Sequence, residues 1–230
     1  MPQVPHELVY LFVATAIPLM VWMALRDARA AAAVRHCLLD TGLNILEAPK
    51  FSIQPSGFPK IEGTLHGRSF RVALIPDTLT FRRLPQLWLD VTLKRDLPAV
   101  HDRIAILVRP SGADYYSLTD HLRDYLLPPA GFPDSCLVKG QGAGAQALLK
   151  RIAPCAVRLL QDSKIKEIDV SPRGIRILRQ FAQGNRGSHL ILRQSVFDGA
   201  LLQADELEDM INAVLQIENT LTEFNLVSAA

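Results

Sequence analysis

Cysteine is scarce in this sequence, and so is any excess of charge of one sign. The three cysteines, Cys37, Cys136 and Cys155, are an odd number with no Cys-x-x-Cys and no Cys/His spacing suited to zinc. This argues against a disulfide framework and against a metal centre, and it fits reduced thiols. The 25 basic and 23 acidic residues leave a formal charge of +2, too weak a field to direct the molecule to nucleic acid. Two further absences matter. No Lys or Arg precedes residue 8, and no long uncharged apolar run follows residue 25.

Between those limits lies an uncharged run of 18 residues, 8–25 (LVYLFVATAIPLMVWMAL), followed by Arg26, Arg29 and Arg35. At 1.5 Å per residue such a helix is about 27 Å long, close to the thickness of a bilayer core. The run predicts a single transmembrane helix, with residues 1–7 as a short outside segment and the lipid bilayer as its partner. Basic residues after the run, and none before it, place the N-terminus outside and the C-terminal domain in the cytoplasm, anchored in the inner (cytoplasmic) membrane. Tyr10 and Trp22 suit the two headgroup levels, and Pro18 is tolerated in lipid-embedded helices. A cleaved signal peptide is the competing expectation, because Ala28-Arg29-Ala30 resembles a small-residue cleavage site, but residues 2–7 carry no Lys or Arg.

Residues 26–50 read as a juxtamembrane helix and linker. The Ala-rich stretch favours helix, and Gly42 and Pro49 mark its end. From Phe51 onward, Pro55, Gly57 and Pro59 open a soluble domain over 51–230. Alternating apolar residues predict strands over 60–65, 69–75 and 86–93, with His66-Gly67 as the turn between the first two. The run IAILV at 104–108 predicts an interior strand. A short helix is expected over 120–127, ended by Pro128-Pro129, then a strand over 135–139 and an amphipathic helix over 145–160. Further strands are expected over 166–170, 175–181 and 188–193. Residues 205–224 close the chain as a helix with Leu207, Ile211, Val214, Leu215 and Leu221 on its apolar face.

The fold class is therefore α+β, with two β-rich halves and packed amphipathic helices. A pseudo-repeat is one reading, since Arg68-Ser69-Phe70-Arg71-Val72 and Arg173-Gly174-Ile175-Arg176-Ile177 open strands at similar distances after Lys60-Ile61 and Lys164-Ile165. The alternation common to half-buried strands is the other. Gly63, Gly67-Arg68 and the stretch 135–221 carry a resemblance to a family of uncharacterised bacterial single-span membrane proteins of unknown function. The resemblance implies an anchored α+β module and brings no catalytic residue with it.

The candidate for chemistry is Lys139-Gly140-Gln141-Gly142-Ala143-Gly144-Ala145, between an expected strand and an expected helix. Gly140, Gly142 and Gly144 would let backbone approach a phosphate, with Lys139 beside it and the helix N-terminus behind it. The Lys-Ser/Thr ending of a P-loop is absent, so a plain strand-to-helix connection competes. Cys136 or Cys155 with His101, His121 or His189 would need a meeting in space that no local signature indicates. Asp205-Glu206 and Glu208-Asp209 suit the start of a helix better than acid/base work. Seven Lys or Arg between 164 and 193 stand against Glu167 and Asp169; a solvated strand face is expected there, with a lipid-facing patch as the alternative.

No resident cofactor, catalytic residue or metal site is expected. The sequence points to a membrane-anchored non-catalytic interaction or assembly module with a protein partner. The alternative is an enzyme or binding domain acting on a phosphate-bearing or lipid ligand at the membrane surface. A sensory role is disfavoured by the shortness of the outside segment.

Overall fold

The structure is a computed structural model. It describes residues 6–78, 83–98, 100–187, 189, 195–197 and 200–228, with side chains described at all of these except 6–9, 11, 13 and 223–228. Among the described residues nine strands form one antiparallel sheet: β1 (Glu47–Ile53), β2 (Pro59–Leu65), β3 (Arg68–Asp77), β4 (Gln86–Lys94), β5 (Arg103–Val108), β6 (Asp124–Tyr125), β7 (Cys136–Gln141), β8 (Ile165–Ser171) and β9 (Gly174–Gln183). The spatial order is β1-β2-β3-β4-β9-β8-β5-β7-β6. The helices described in full beside it are α1 (His6–His36), the short α2 (Asp40–Ile45), α3 (Ala145–Leu159) and the helix Ala204–Ser228, here α4. The fold class is α+β, as the sequence indicates.

The sheet divides the molecule into two unlike faces. Alternation sends Phe70, Val72 and Leu74 of β3, Leu87, Leu89, Val91 and Leu93 of β4, and Ile175 and Ile177 of β9 to one face. There they meet Leu148, Leu149 and Ile152 of α3 and Leu207, Ile211, Val214, Ile217 and Leu221 of α4, all in one apolar core. Leu38, Leu39 and Leu46 belong to the same core, so the chain joins the folded body before residue 51. Thr41 adds a hydroxyl donated to Leu202 O at 2.6 Å, and Leu202 N–H donates to Leu38 O at 3.3 Å.

Most expected elements are present. His66 (φ 51°) and Gly67 (φ 71°) both take left-handed conformations, as a tight turn between Leu65 and Arg68 requires. The IAILV run is an interior strand, with β8 on one side and β7 on the other. The helix expected over 120–127 is not formed. A single 3-10 turn at Thr119–His121 is followed by extended backbone and β6, in keeping with the bar that Pro128 places on helical conformation before it. Strand β1 carries Pro49, the residue that signals a stop; it is an edge strand, where a missing N–H is harmless. The strand expected over 188–193 lies almost wholly outside the described residues.

The two halves do not follow one layout. At the seam, β4 pairs with β9, but the strands beyond β9 are β8, β5, β7 and β6, of which β5, β6 and β7 precede α3 in the chain. The expected membrane span receives no support from the described residues, among which no helix is long and apolar enough to cross a membrane. Leu8, Val9, Leu11 and Val13 of that run fall outside the residues whose side chains are described, and residues 1–5 of the expected outside segment fall outside altogether. What is described is a helix of 31 residues with large apolar side chains in the open: Tyr10, Phe12, Ile17, Leu19, Met20, Val21, Trp22, Met23 and Leu25 are each between 46% and 73% exposed.

Candidate functional site

The glycine turn forms where expected, between β7 and α3, but its interior is filled by the chain itself. Asp102, at the entry to β5, presents its carboxylate to the N-terminus of α3, and Gly144 N–H donates to Asp102 Oδ1 at 3.1 Å. A negative side chain thus occupies the electropositive helix end that a phosphate would use. Two of the three glycines are explained by the same contact. Gly142 has φ +108°, and a Cβ there would stand 2.0 Å from Asp102 Oδ1; a Cβ at Gly144 would stand 2.4 Å from Asp102 Oδ2. At Gly140 it would meet Ala145 and Leu126, both at 2.8 Å.

Lys139 is not part of that arrangement. It alternates with Val138 and Gly140 and so lies on the opposite face of the sheet, with its ammonium 5.2 Å from the Tyr125 ring centre. A cavity of about 530 Å³ opens beside the turn, lined by His101, Asp102, Gly144, Leu148, Lys150 and Arg151 among others.

The other sequence candidates separate in space. Cys155 is buried, with Sγ 3.2 Å from Thr220 Oγ1 and 3.6 Å from Arg158 Nη2. Burial pushes the Cys136 thiol up to about 11, which leaves little thiolate. Among the described residues no hydrogen bond joins a cysteine to a histidine, and no group of three His, Cys, Asp or Glu could hold a metal ion. Glu206, in the first turn of α4, takes Arg179 at 3.1 Å, and Arg179 reaches Asp162 at 2.8 Å. That carboxylate clamps α4 to β9.

The basic stretch is neither one solvated face nor a free patch. Lys166 and Arg176 are 3% and 6% exposed and belong to an ionic cluster on the sheet face opposite the helices. Arg176 donates from Nε to Asp90 Oδ2 and from Nη1 to Glu167 Oε2, both at 3.0 Å, and from Nη2 to Tyr116 O at 3.3 Å. Arg71 reaches Asp90 at 3.1 Å, Arg103 stands 3.5 Å from Asp169, and Arg83 reaches Asp77 at 2.7 Å. Segment 109–121 roofs the cluster. Its Ser117 hydroxyl and Leu118 N–H both donate to Glu167 Oε1 at 2.8 Å, and its Asp114 pairs with Lys166 at 3.1 Å. Lys166 also donates to Val108 O and Arg109 O. Trp88, Tyr116 and Leu178 form a small apolar cluster there, with the two rings 5.3 Å apart.

Burial sets the titration of these groups. It raises Glu167 against the opposing pull of Arg176, and raises Asp169 against Arg103 and Arg176. It lowers Lys166, with Asp114 opposing. At Asp114 burial works upward, but hydrogen bonds from the Ser111 N–H and hydroxyl and from Tyr116, with the Lys166 charge, bring the carboxyl below its ordinary value. Shifts of this kind often accompany catalysis. Here five buried carboxylates, Asp77, Asp90, Asp114, Glu167 and Asp169, face five cations, Arg71, Arg83, Arg103, Lys166 and Arg176, so each charge answers another within the fold.

Sequence reasoning missed this cluster because charged residues alternating with apolar ones read as a strand with one wet face. The available signal was position: a strand beside IAILV, itself interior, has neighbours on both sides.

No known protein family matches the chain, and no curated protein matches it. Among solved structures, the crystal structure of the mycobacterial trehalose monomycolate transport factor A, TtfA, is similar over 71% of this chain and 69% of that one, at 6% identity and a TM-score of 0.34. At that score the likeness carries no argument.

Proposed function

We propose that this chain is a membrane-anchored, non-catalytic interaction or assembly module. In this reading α1 crosses the inner membrane over 8–25 with its N-terminus outside, and the α+β body stands in the cytoplasm. The observation that carries it is the exposure of the apolar side chains of α1 described between Tyr10 and Leu25, on a helix that contributes no described side chain to the apolar core. Apolar surface of that extent in water is unfavourable and marks contact with lipid or protein. Two features favour binding over chemistry. The glycine turn holds Asp102, and the residues with shifted titration in the ionic cluster are committed to one another.

The alternative, an enzyme or binding domain for a phosphate-bearing or lipid ligand, keeps one observation in its favour: the cavity in which His101, Lys150 and Arg151 stand beside Asp102. Crosslinking in membranes, detergent extraction, affinity purification of the full-length chain and mass spectrometry of the copurifying proteins separate the two. A protein in fixed ratio to the chain is expected. Recovery of the chain alone, with turnover of a phosphoester by the purified protein, would replace the first reading by the second.

A further inference from the structure

A second cavity, of about 650 Å³, lies between α1 and the segment at Ser195 and Val196. Its α1 wall grades from apolar to charged. Met20, Met23 and Ala24 line the end toward the N-terminus, and Asp27 and Arg35 line the other. Ala24, Ala28, Ala31 and Arg35 succeed one another at spacings of four, three and four, which puts them on one helix face; the alanines keep the wall low and the groove deep. Arg35 closes the groove. Its Nε is buried and has no hydrogen-bond partner among the described residues, although its guanidinium rests 5.7 Å from the Phe58 ring centre. A buried charged donor without an acceptor is costly, and an anionic oxygen would satisfy it.

We propose that this groove holds the headgroup and adjoining acyl methylenes of an anionic phospholipid from the cytoplasmic leaflet. The inference rests on the reading of α1 as a membrane span. The apolar end is formed by residues of the span itself, and Arg35 lies roughly three turns beyond it. Helical side chains lean toward the N-terminus of their helix, so Arg35 leans toward the bilayer. Charge around the groove favours an anion over a neutral lipid: of the groove's two charged lining residues, Asp27 and Arg35, Asp27 is already 3.5 Å from Arg26 outside it, and residues 26–35 together carry Arg26, Arg29 and Arg35 against Asp27 alone, a net +2. Cytoplasmic leaflets attract such juxtamembrane clusters.

The test uses the full-length chain, extracted from membranes in mild detergent, washed, and analysed for bound lipid by phosphorus assay and native mass spectrometry. Arg35→Gln removes the charge at the groove's end. Ala28→Leu fills the groove and leaves every charge in place, which guards against loss of the Arg35 packing on Phe58. The native chain is expected to retain anionic phospholipid in fixed ratio, and both variants at least several-fold less, with the same extraction behaviour. Equal lipid in all three chains overturns the proposal, as does a membrane-extracted native chain that retains none; in both cases the anchor stands. A native chain recovered from the aqueous fraction overturns the anchor and the lipid site together.

Discussion

At the scale of single residues, Asp102 decides what the glycine turn is for. Its carboxylate receives the Gly144 N–H and occupies the space that Cβ atoms at 142 and 144 would need. Asp102→Ala is expected to cost about 1 kcal/mol as a lost helix cap. Gly144 has an ordinary φ of −93°, so Gly144→Ala should be destabilising in the native chain and close to neutral once Asp102 is alanine. Chemical denaturation of the four chains measures that coupling, and additive costs would contradict it. The ionic cluster makes a second prediction. Asp114→Asn leaves the Lys166 ammonium buried without its partner and should cost about 3 kcal/mol, much of which Lys166→Met in the same chain should restore. Because the folded state lowers the Asp114 pKa, its contribution is present above the ordinary value near 3.9 and is lost as pH falls through the lower folded value. The fall in Tm below about pH 4 should therefore be shallower in Asp114→Asn than in the native chain. An unchanged acid limb would count against the assignment.

At the scale of elements, the seam between β4 and β9 joins the two halves of the sheet. Gly174 opens β9 at φ +143°, and a Cβ there would lie 2.0 Å from Leu93 O. Gly174→Ala should cost about 1–3 kcal/mol and weaken hydrogen-exchange protection along β4 and β9 more than at the β2–β3 hairpin. The hairpins, the interior strand β5 and helices α3 and α4 were legible in the sequence because each rests on local periodicity or turn chemistry. The strand at Glu47–Ile53 was not, since Pro49 argues against a strand unless one knows that it lies at an edge. The same limit hid the candidate site. Glycine spacing at 140, 142 and 144 announces a close approach but not of what, and Asp102 is some forty residues away. Glu167, Asp169 and Arg176 each stand beside apolar residues as on a wet strand face, and Lys166 joins them where β8 shifts register; only the roof of 109–121, a contact distant in sequence, makes them interior.

At the scale of the whole molecule, an apolar helix precedes a self-contained α+β body. Under the proposed anchor Cys37, exposed just beyond α1, would report sidedness. A membrane-impermeant maleimide should label it in inverted inner-membrane vesicles and not in intact right-side-out ones; the reverse pattern would invert the orientation. The anchor itself is tested most directly by alkaline carbonate extraction of membranes that hold the full-length chain. The chain is expected to stay with the membrane through carbonate and high salt and to be released by detergent alone. Release into the aqueous phase by carbonate would contradict the anchor, and the exposed face of α1 would then have to be covered by protein.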